Sequence, residues 1–481
     1  MDFSFDGQGA LYEQLARTLK RAILEGRFVT GSPLPATRTL ARSLRISRNT
    51  VLGAYELLCA EQLAIARGGS GTRVADIGRP SLKPSGQARS TRPSRYAARA
   101  RQLGPVTLGG ARPRSRYNLQ YGVPLLNPQL FNSWRTKLAA AALRTDPGYP
   151  PPAGVPALRR AICDYLARRR GFVCAPEDVI VVGGTQQALT LVARVVLDEG
   201  DTAILEDPHY QLALQSLLAH GARVVSVPVD REGLVTRQLP QRAARLIYVT
   251  PSHQFPSGAV MSLARRIELL QRTGRHGSWI FEDDYDGEFR YGARPIPALR
   301  SLDGGERVIY VGTFSKAIFP SLRLGYLVCP RGLRDDLLLA KRLDDGGCPA
   351  IEQAALAAFM HGRQFERHLR KSALELDRRR CALLEGLARC AQRYIRVSES
   401  QAGMHVVVWL PGLSYPQLQQ LIELGATRGL GLNPVHPYYR TPPEHPGLLV
   451  GFASLSCTQI NTATQLLGQC LQELDRCSTA R

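Results

Sequence analysis

The chain lacks the marks of several protein classes. No apolar run approaches the roughly 20 residues that cross a bilayer as a helix, so no membrane partner is expected. The first residues, Met1-Asp2-Phe3-Ser4-Phe5-Asp6, carry acids where a secretory leader needs bases. Both absences predict a cytoplasmic protein. The cysteines, spread from Cys59 to Cys477, form no CxxC pair and no zinc-type spacing with the histidines. That predicts reduced, mostly buried thiols and no metal site. Residues 77–116 carry basic side chains from Arg79 to Arg116 and not one acid, and the sequence has no internal repeat.

What is present points to more than one unit. A length of 481 residues exceeds a single ordinary core. A net charge of +22 and a pI near 10.0 fit a polyanionic partner, nucleic acid or an acidic surface. Composition divides the chain into residues 1–76, a basic linker over 77–116, and a large unit over 117–481. The Pro, Ser, Gly and Arg content of the linker cannot bury enough surface to offset ordering, which predicts a mobile tether that could also touch phosphates. From Tyr117 on, runs such as Val179-Ile180-Val181-Val182, Leu246-Ile247-Tyr248-Val249 and Trp279-Ile280-Phe281 alternate with helical stretches. This alternation predicts an α/β fold, a mostly parallel sheet between helices.

In the first unit, Tyr12, Leu15, Leu19 and Ile23 recur at helical spacing and predict an amphipathic helix ending near Glu25-Gly26. A second helix follows Pro35, and Ser47 reads as the cap of a third. Val51, Leu52, Tyr55 and Leu58 are expected to face the core. Arg48, Asn49 and Thr50 then lie at the helix end that enters a major groove, where arginine suits guanine and asparagine suits adenine. Residues 63–74 read as two short strands around a glycine turn, a basic wing.

In the large unit, Thr313-Phe314-Ser315-Lys316-Ala317 with Arg323 places one lysine where an aldehyde cofactor could be held as a Schiff base. Ile280-Phe281-Glu282-Asp283-Asp284-Tyr285 reads as an apolar strand ending in acids and a phenol. Asp283 suits a protonated pyridine nitrogen, with Asp284 as rival. Strand alternation puts Asp283 and Tyr285 on one side, the phenol near the ring oxygen, and Asp284 on the other. Gly184-Thr185-Gln186 after a strand offers backbone N–H groups for a phosphate, completed by Thr313, Ser315 and Arg323. Tyr210 could stack on the ring.

Residues 34–75, "LPATRTLARSLRISRNTVLGAYELLCAEQLAIARGGSGTRVA", resemble the winged helix-turn-helix of the GntR transcription regulators. The resemblance puts Arg38, Ser47, Arg48, Asn49, Thr50 and Gly69 on operator-DNA contacts. The order phosphate turn, stacking tyrosine, acid, lysine, arginine resembles fold-type I aminotransferases. More narrowly, "TPSHQFPSG", "EDDYDGEFRY" and "GTFSKAIFPSLRLGY" resemble the aminotransferase-like domain of MocR/GabR regulators, PdxR-type members included. The resemblance implies pyridoxal 5'-phosphate bound through Lys316, a small C-terminal α+β subdomain, and a head-to-tail homodimer. It also implies a phosphate contact from the partner's Tyr149, and His253 or Gln254 in place of the usual asparagine beside the ring oxygen.

In family members that sense γ-aminobutyrate, an arginine lies two residues past the stacking tyrosine and another in the C-terminal segment; this chain has Leu212 at the first place and only Arg440 near the second. Without a bidentate clamp that ligand is disfavoured. Two readings follow. In one, the chain is a transcriptional regulator sensing pyridoxal phosphate itself, an amine or an amino acid. In the other, it is a working aminotransferase with an appended DNA-binding domain.

Overall fold

The computed structural model describes residues 5–68, 71–76, 92–105, 115–125, 128–292, 297–398 and 402–479. The chain forms two compact units, Met1–Arg92 and Pro93–Arg481. In the first, helices α1 (Leu11–Leu24), α2 (Thr37–Leu44) and α3 (Arg48–Ala60) precede an antiparallel ribbon of β1 (Ala64–Arg67) and β2 (Gly71–Val74). Leu15, Leu19 and Ile23 meet Val51, Ala54, Tyr55 and Leu58 in its core. Two expected core residues are not in it: Leu52 is 37% and Tyr12 38% exposed. The inward face of α3 runs through Val51, Ala54, Tyr55 and Leu58, and Leu52 lies about 100° round the helix from Val51, on the outer side of that stripe. Tyr12 lies at the helix start, where its ring edge meets Gly53.

The segment read as a linker is not wholly irregular. Its described part includes helix α4 (Arg95–Gln102), which opens where Ser94 Oγ accepts the Ala97 N–H at 3.2 Å. Arg99 donates to the Ala219 and His220 carbonyls at 3.0 and 3.2 Å and pairs with Glu199 at 3.0 Å. Those carbonyls close a helix whose C-terminal end is electronegative, and composition alone does not reveal such a docking place.

The large unit continues through β3 (Tyr117–Asn118), α5 (Pro128–Arg144), α6 (Pro156–Arg169), β4 (Val179–Val182), α7 (Thr185–Val196), β5 (Thr202–Asp207), α8 (Gln211–His220), β6 (Arg223–Asp230), β7 (Gly233–Leu234), β8 (Leu246–Val249), α9 (Leu263–His276), β9 (Trp279–Asp284), α10 (Leu299–Asp303), β10 (Val308–Thr313) and β11 (Gly325–Val328). Its main sheet runs β4-β11-β10-β9-β8-β5-β6-β7. The strands from β10 to β6 in that order are parallel, while β11 runs antiparallel between β10 and β4. The strands are apolar on both faces because helices cover both. Ile180, Phe281 and Val311 pack with α7 and α8, whereas Val181 and Tyr310 pack towards α6.

After α11 (Arg334–Asp345), α12 (Ala350–His361) and the long α13 (Gln364–Ala391), a smaller α+β part follows. There β12 (Arg396–Val397), β13 (His405–Trp409) and, after α14 (Tyr415–Thr427) and β14 (Leu430–Gly431), β15 (Gly447–Gly451) form an antiparallel sheet in the order β12-β13-β15. β14 pairs with β3, and α15 (Cys457–Thr479) packs on α13. This is the small C-terminal subdomain expected.

Candidate functional site

The C-terminal ends of the parallel strands converge on one edge of the sheet, where loops of an open α/β sheet gather ligand-binding groups. Gly184 follows β4, Tyr210 follows β5, His253 follows β8, Asp283 is the next-to-last residue of β9, Thr313 ends β10, and Ser315 and Lys316 follow it. Lys316 Nζ donates to the Gly122 carbonyl at 2.5 Å. Burial lowers the lysine's pKa, while the nearby Asp286 and Asp283 oppose that shift. The result is an amine near two acids and easier to deprotonate than a surface lysine. Gly122 has φ +76, and a Cβ there would lie 3.0 Å from Nζ.

The three acids of β9 alternate as a strand requires. Asp283 accepts from Tyr248 Oη at 2.6 Å and from Thr185 Oγ1 at 3.4 Å. Burial pushes its pKa up to about 7, the hydroxyl donors pull it down, and Asp284 pushes it up again. Asp284 faces away, towards Arg170 Nε at 3.0 Å and Tyr310 Oη at 2.5 Å. Glu282 accepts the Leu299 and Arg300 N–H groups at 2.8 and 2.9 Å. Asp284 is therefore committed to the opposite face and is no rival to Asp283.

At the start of α7, Gly184 has φ +113, and the space its absent Cβ would fill ends 3.5 Å from the Arg323 guanidinium. Arg323 itself is in the left-handed region at φ 49. The Ser315 N–H donates to Thr313 Oγ1 at 3.2 Å. Gln186 donates to Ser216 Oγ, and its Oε1 is buried with no hydrogen-bond partner among the described residues. The first turn of a helix leaves N–H groups without intrahelical partners, and the Arg323 guanidinium beside Gly184 adds a cation to that end of α7, a grouping whose chemistry suits an anion.

Tyr210 meets Phe255 edge-on with centroids 6.2 Å apart. Tyr285 Oη lies 3.0 Å from His253 Nδ1, which is 2.9 Å from Asp286 Oδ2. His405 stands beside His253, centroids 5.0 Å apart, with Nε2 3.1 Å from the Pro256 carbonyl. Burial, with His253 adding to it, lowers the His405 pKa to about 3. These three side chains have the grouping of a small metal set, but their hydrogen bonds already account for their placement.

In the first unit, Ser47 Oγ accepts the Thr50 N–H at 3.0 Å and so caps α3. Arg48 and Asn49 are exposed in the first turn of that helix, and Arg38 is exposed on α2. Gly69 lies outside the described residues.

Residues 11–74 match the bacterial regulatory proteins of the gntR family, and residues 117–463 match aminotransferase class I and II. The chain is 37% identical over 466 residues to the probable rhizopine catabolism regulatory protein MocR of Rhizobium meliloti, covering 94% of this chain and 91% of that one. It is 29% identical to the pyridoxine biosynthesis regulator PdxR of Corynebacterium glutamicum, covering 92% and 91%. The crystal structure of the α-aminoadipate aminotransferase LysN of Thermus thermophilus, in complex with N-(5'-phosphopyridoxyl)-L-leucine, matches with TM-score 0.68 at 27% identity, covering 79% of this chain and 97% of that one. The chain belongs to the MocR-type transcriptional regulators.

A MocR-type regulator joins a DNA-binding domain to an aminotransferase fold, and that fold implies dependence on pyridoxal phosphate. The residues present fit the group. The Gly184 cradle leaves room beside Arg323 that any side chain would fill, and Lys316 presents a buried amine near Asp283. Other candidates lie elsewhere in the chain's own fold. Tyr149 is wholly exposed. Gln254 donates to the Pro208 and Phe255 carbonyls, both at 2.7 Å, and accepts from Ser257, so it serves its own loop. Arg440 is exposed, with its N–H on Asp207. Sequence reasoning did not assign roles to Gly122, Tyr248, Asp286 or His405. Only the "DYDGEFRY" motif, which contains Asp286, carried a signal for one of them.

Proposed function

We propose that Lys316 Nζ holds pyridoxal phosphate, that Asp283 pairs with its ring nitrogen, and that Gly184, Thr185, Gln186, Thr313, Ser315 and Arg323 receive its phosphate. When bound, the cofactor supplies an electrophilic carbon for amines and an electron-withdrawing ring. Tyr210 covers the ring, and Tyr285 and His253 face the ring oxygen's side, with Asp286 orienting the imidazole. The single observation behind this reading is that separate strands deliver a buried amine, an acid lacking a cation of its own, and an anion cradle to one sheet edge. The observed Tyr285–His253 bond supports a joint role in place of the separate ones expected from sequence.

On this reading the protein is a cytoplasmic regulator that binds operator DNA through Arg38, Ser47, Arg48, Asn49 and Thr50, as a head-to-tail homodimer whose partner supplies Tyr149. The effector, pyridoxal phosphate or an amine or amino acid reacting with it, changes operator affinity by binding two dimer states unequally. The likeness to LysN favours keeping a second reading, residual transamination, which product formation from an amino donor and a 2-oxo acid would reveal.

The test is fluorescence anisotropy of labelled upstream DNA against shuffled DNA, with and without pyridoxal phosphate, in wild type, Lys316→Ala and Arg48→Ala. Lys316→Ala should lose the borohydride-fixed cofactor mass yet keep specific binding of the cofactor-free protein. Arg48→Ala should keep that mass and lose roughly 10- to 100-fold in specific affinity, the scale of one base-reading arginine. A fixed cofactor surviving in Lys316→Ala would overturn the assignment.

A further inference from the structure

Behind β9, on the side that Asp284 faces, the end of α6, the loop ending at Gly292 and part of α13 enclose a cavity of about 510 Å³. Arg169, Arg170, Arg290 and Arg370 line it, together with Glu288 and Asp377. Arg170 has ion-pair partners within the fold, Asp284 3.0 Å from its Nε and Glu288 3.7 Å from its Nη2, and its Nη1 donates to the Gly287 carbonyl at 2.7 Å. Asp377 lies 4.0 Å from Arg380. The other three arginines have no ion pair of their own among the described residues. Among the described residues, Arg290 Nε, Arg170 Nε and Nη2, and Glu288 Oε2 are buried with no hydrogen-bond partner. Arg169 and Arg370 are exposed at the rim.

A guanidinium donor withdrawn from water without an acceptor is costly, and a fold that keeps one beside a roomy space leaves it to be satisfied from outside. Guanidinium forks match the oxygens of carboxylates and phosphates. The orphan Glu288 oxygen would accept from a hydroxyl or amine on the same molecule. We propose that this cavity is a second ligand site, separate from the Lys316 site, for a small oxyanion bearing a carboxylate or phosphate and a hydrogen-bond donor.

Calorimetric titration of the full-length protein, loaded with pyridoxal phosphate and held at constant ionic strength, tests this with inorganic phosphate, succinate and malate as probes. A saturable site, one per chain, is expected, tighter for malate than for succinate. Its affinity should fall at least tenfold in Arg370→Ala, a rim position whose change leaves the fold intact, and in Arg290→Lys. Arg323→Ala, in the other cradle, should leave it unchanged. Phosphate binding without malate binding would assign the site to phosphate esters; the reverse would assign it to hydroxy acids. No saturable heat with any probe overturns the proposal. So does binding that Arg323→Ala abolishes while Arg370→Ala and Arg290→Lys retain it.

Discussion

Asp283 and Asp284 are neighbours on one strand, equally buried, and treated in opposite ways by the fold. Asp284 has a cation of its own, Arg170, and a phenol, Tyr310. Asp283 has two hydroxyl donors and no ion pair among the described residues, and burial holds its pKa near 7. An acid that only holds the protein together is compensated by the protein. An acid kept for a cationic ring is left under-compensated until the ring arrives, which is how perturbed acids mark functional sites.

Replacing each acid by its amide breaks or upholds that contrast most directly. Asp284→Asn leaves the buried Arg170 with Glu288, 3.7 Å from its Nη2, as its remaining carboxylate, and breaking such a pair costs about 3–5 kcal/mol. Denaturant unfolding should show that loss, with cofactor affinity less affected. On the proposed reading Asp283→Asn removes the ring's counter-charge: cofactor affinity should drop on the order of 100-fold, roughly 2.7 kcal/mol, while the cofactor-free protein stays as stable as wild type or becomes more so. If the two amides behave alike, the division of labour is wrong.

The pH dependence sharpens the same point. The folded pKa of Asp283 is raised from 3.8 to about 7. Between those values the folded protein binds a proton that the unfolded chain does not, so stability falls as pH rises through that window and levels off above it. Glu206 and Glu282, also raised to about 7 by burial, act in the same direction. Asp283→Asn removes one of these contributions. Cofactor-free variant and wild type should match near pH 4 and diverge towards pH 8, the variant gaining roughly 4 kcal/mol at most. Equal slopes across the range would mean that Asp283 is ionised throughout.

Much of this contrast was legible in the sequence, because it is local. A period of two settles that Asp283 and Asp284 point apart, and the motifs around Lys316 and Gly184 each lie within a few residues. The reason Asp284 is satisfied was not legible, since Arg170 stands more than a hundred residues upstream and reads as one basic residue among many. Gly122, which receives the Lys316 amine, is 194 residues away from it. Helix α4 was hidden for a related reason: Arg99 is ordered by the carbonyls at the end of α8, a tertiary partner that overrides a disorder-prone composition. In the first unit, the expected stripe was one residue too wide at Leu52, where apolar character alone could not separate the inward face from its neighbour.

The finest version of the comparison uses two phenols whose rings the fold holds independently of their hydroxyls. Tyr248 stacks on Phe281 with centroids 5.2 Å apart, and Tyr310 meets Phe172 edge-on at 5.1 Å, so phenylalanine keeps the packing at both places. Tyr248→Phe takes from Asp283 its shorter hydroxyl bond and disfavours the ionised form that a cationic ring needs. Cofactor affinity should fall about 5- to 10-fold, near 1 kcal/mol. Tyr310→Phe takes a donor from Asp284, but Arg170 remains to hold the charge. Cofactor affinity should stay within about twofold, and the loss of about 1–3 kcal/mol should be read in unfolding instead. A cofactor-affinity loss in Tyr310→Phe as large as that in Tyr248→Phe would mean that the two faces of β9 act as one site.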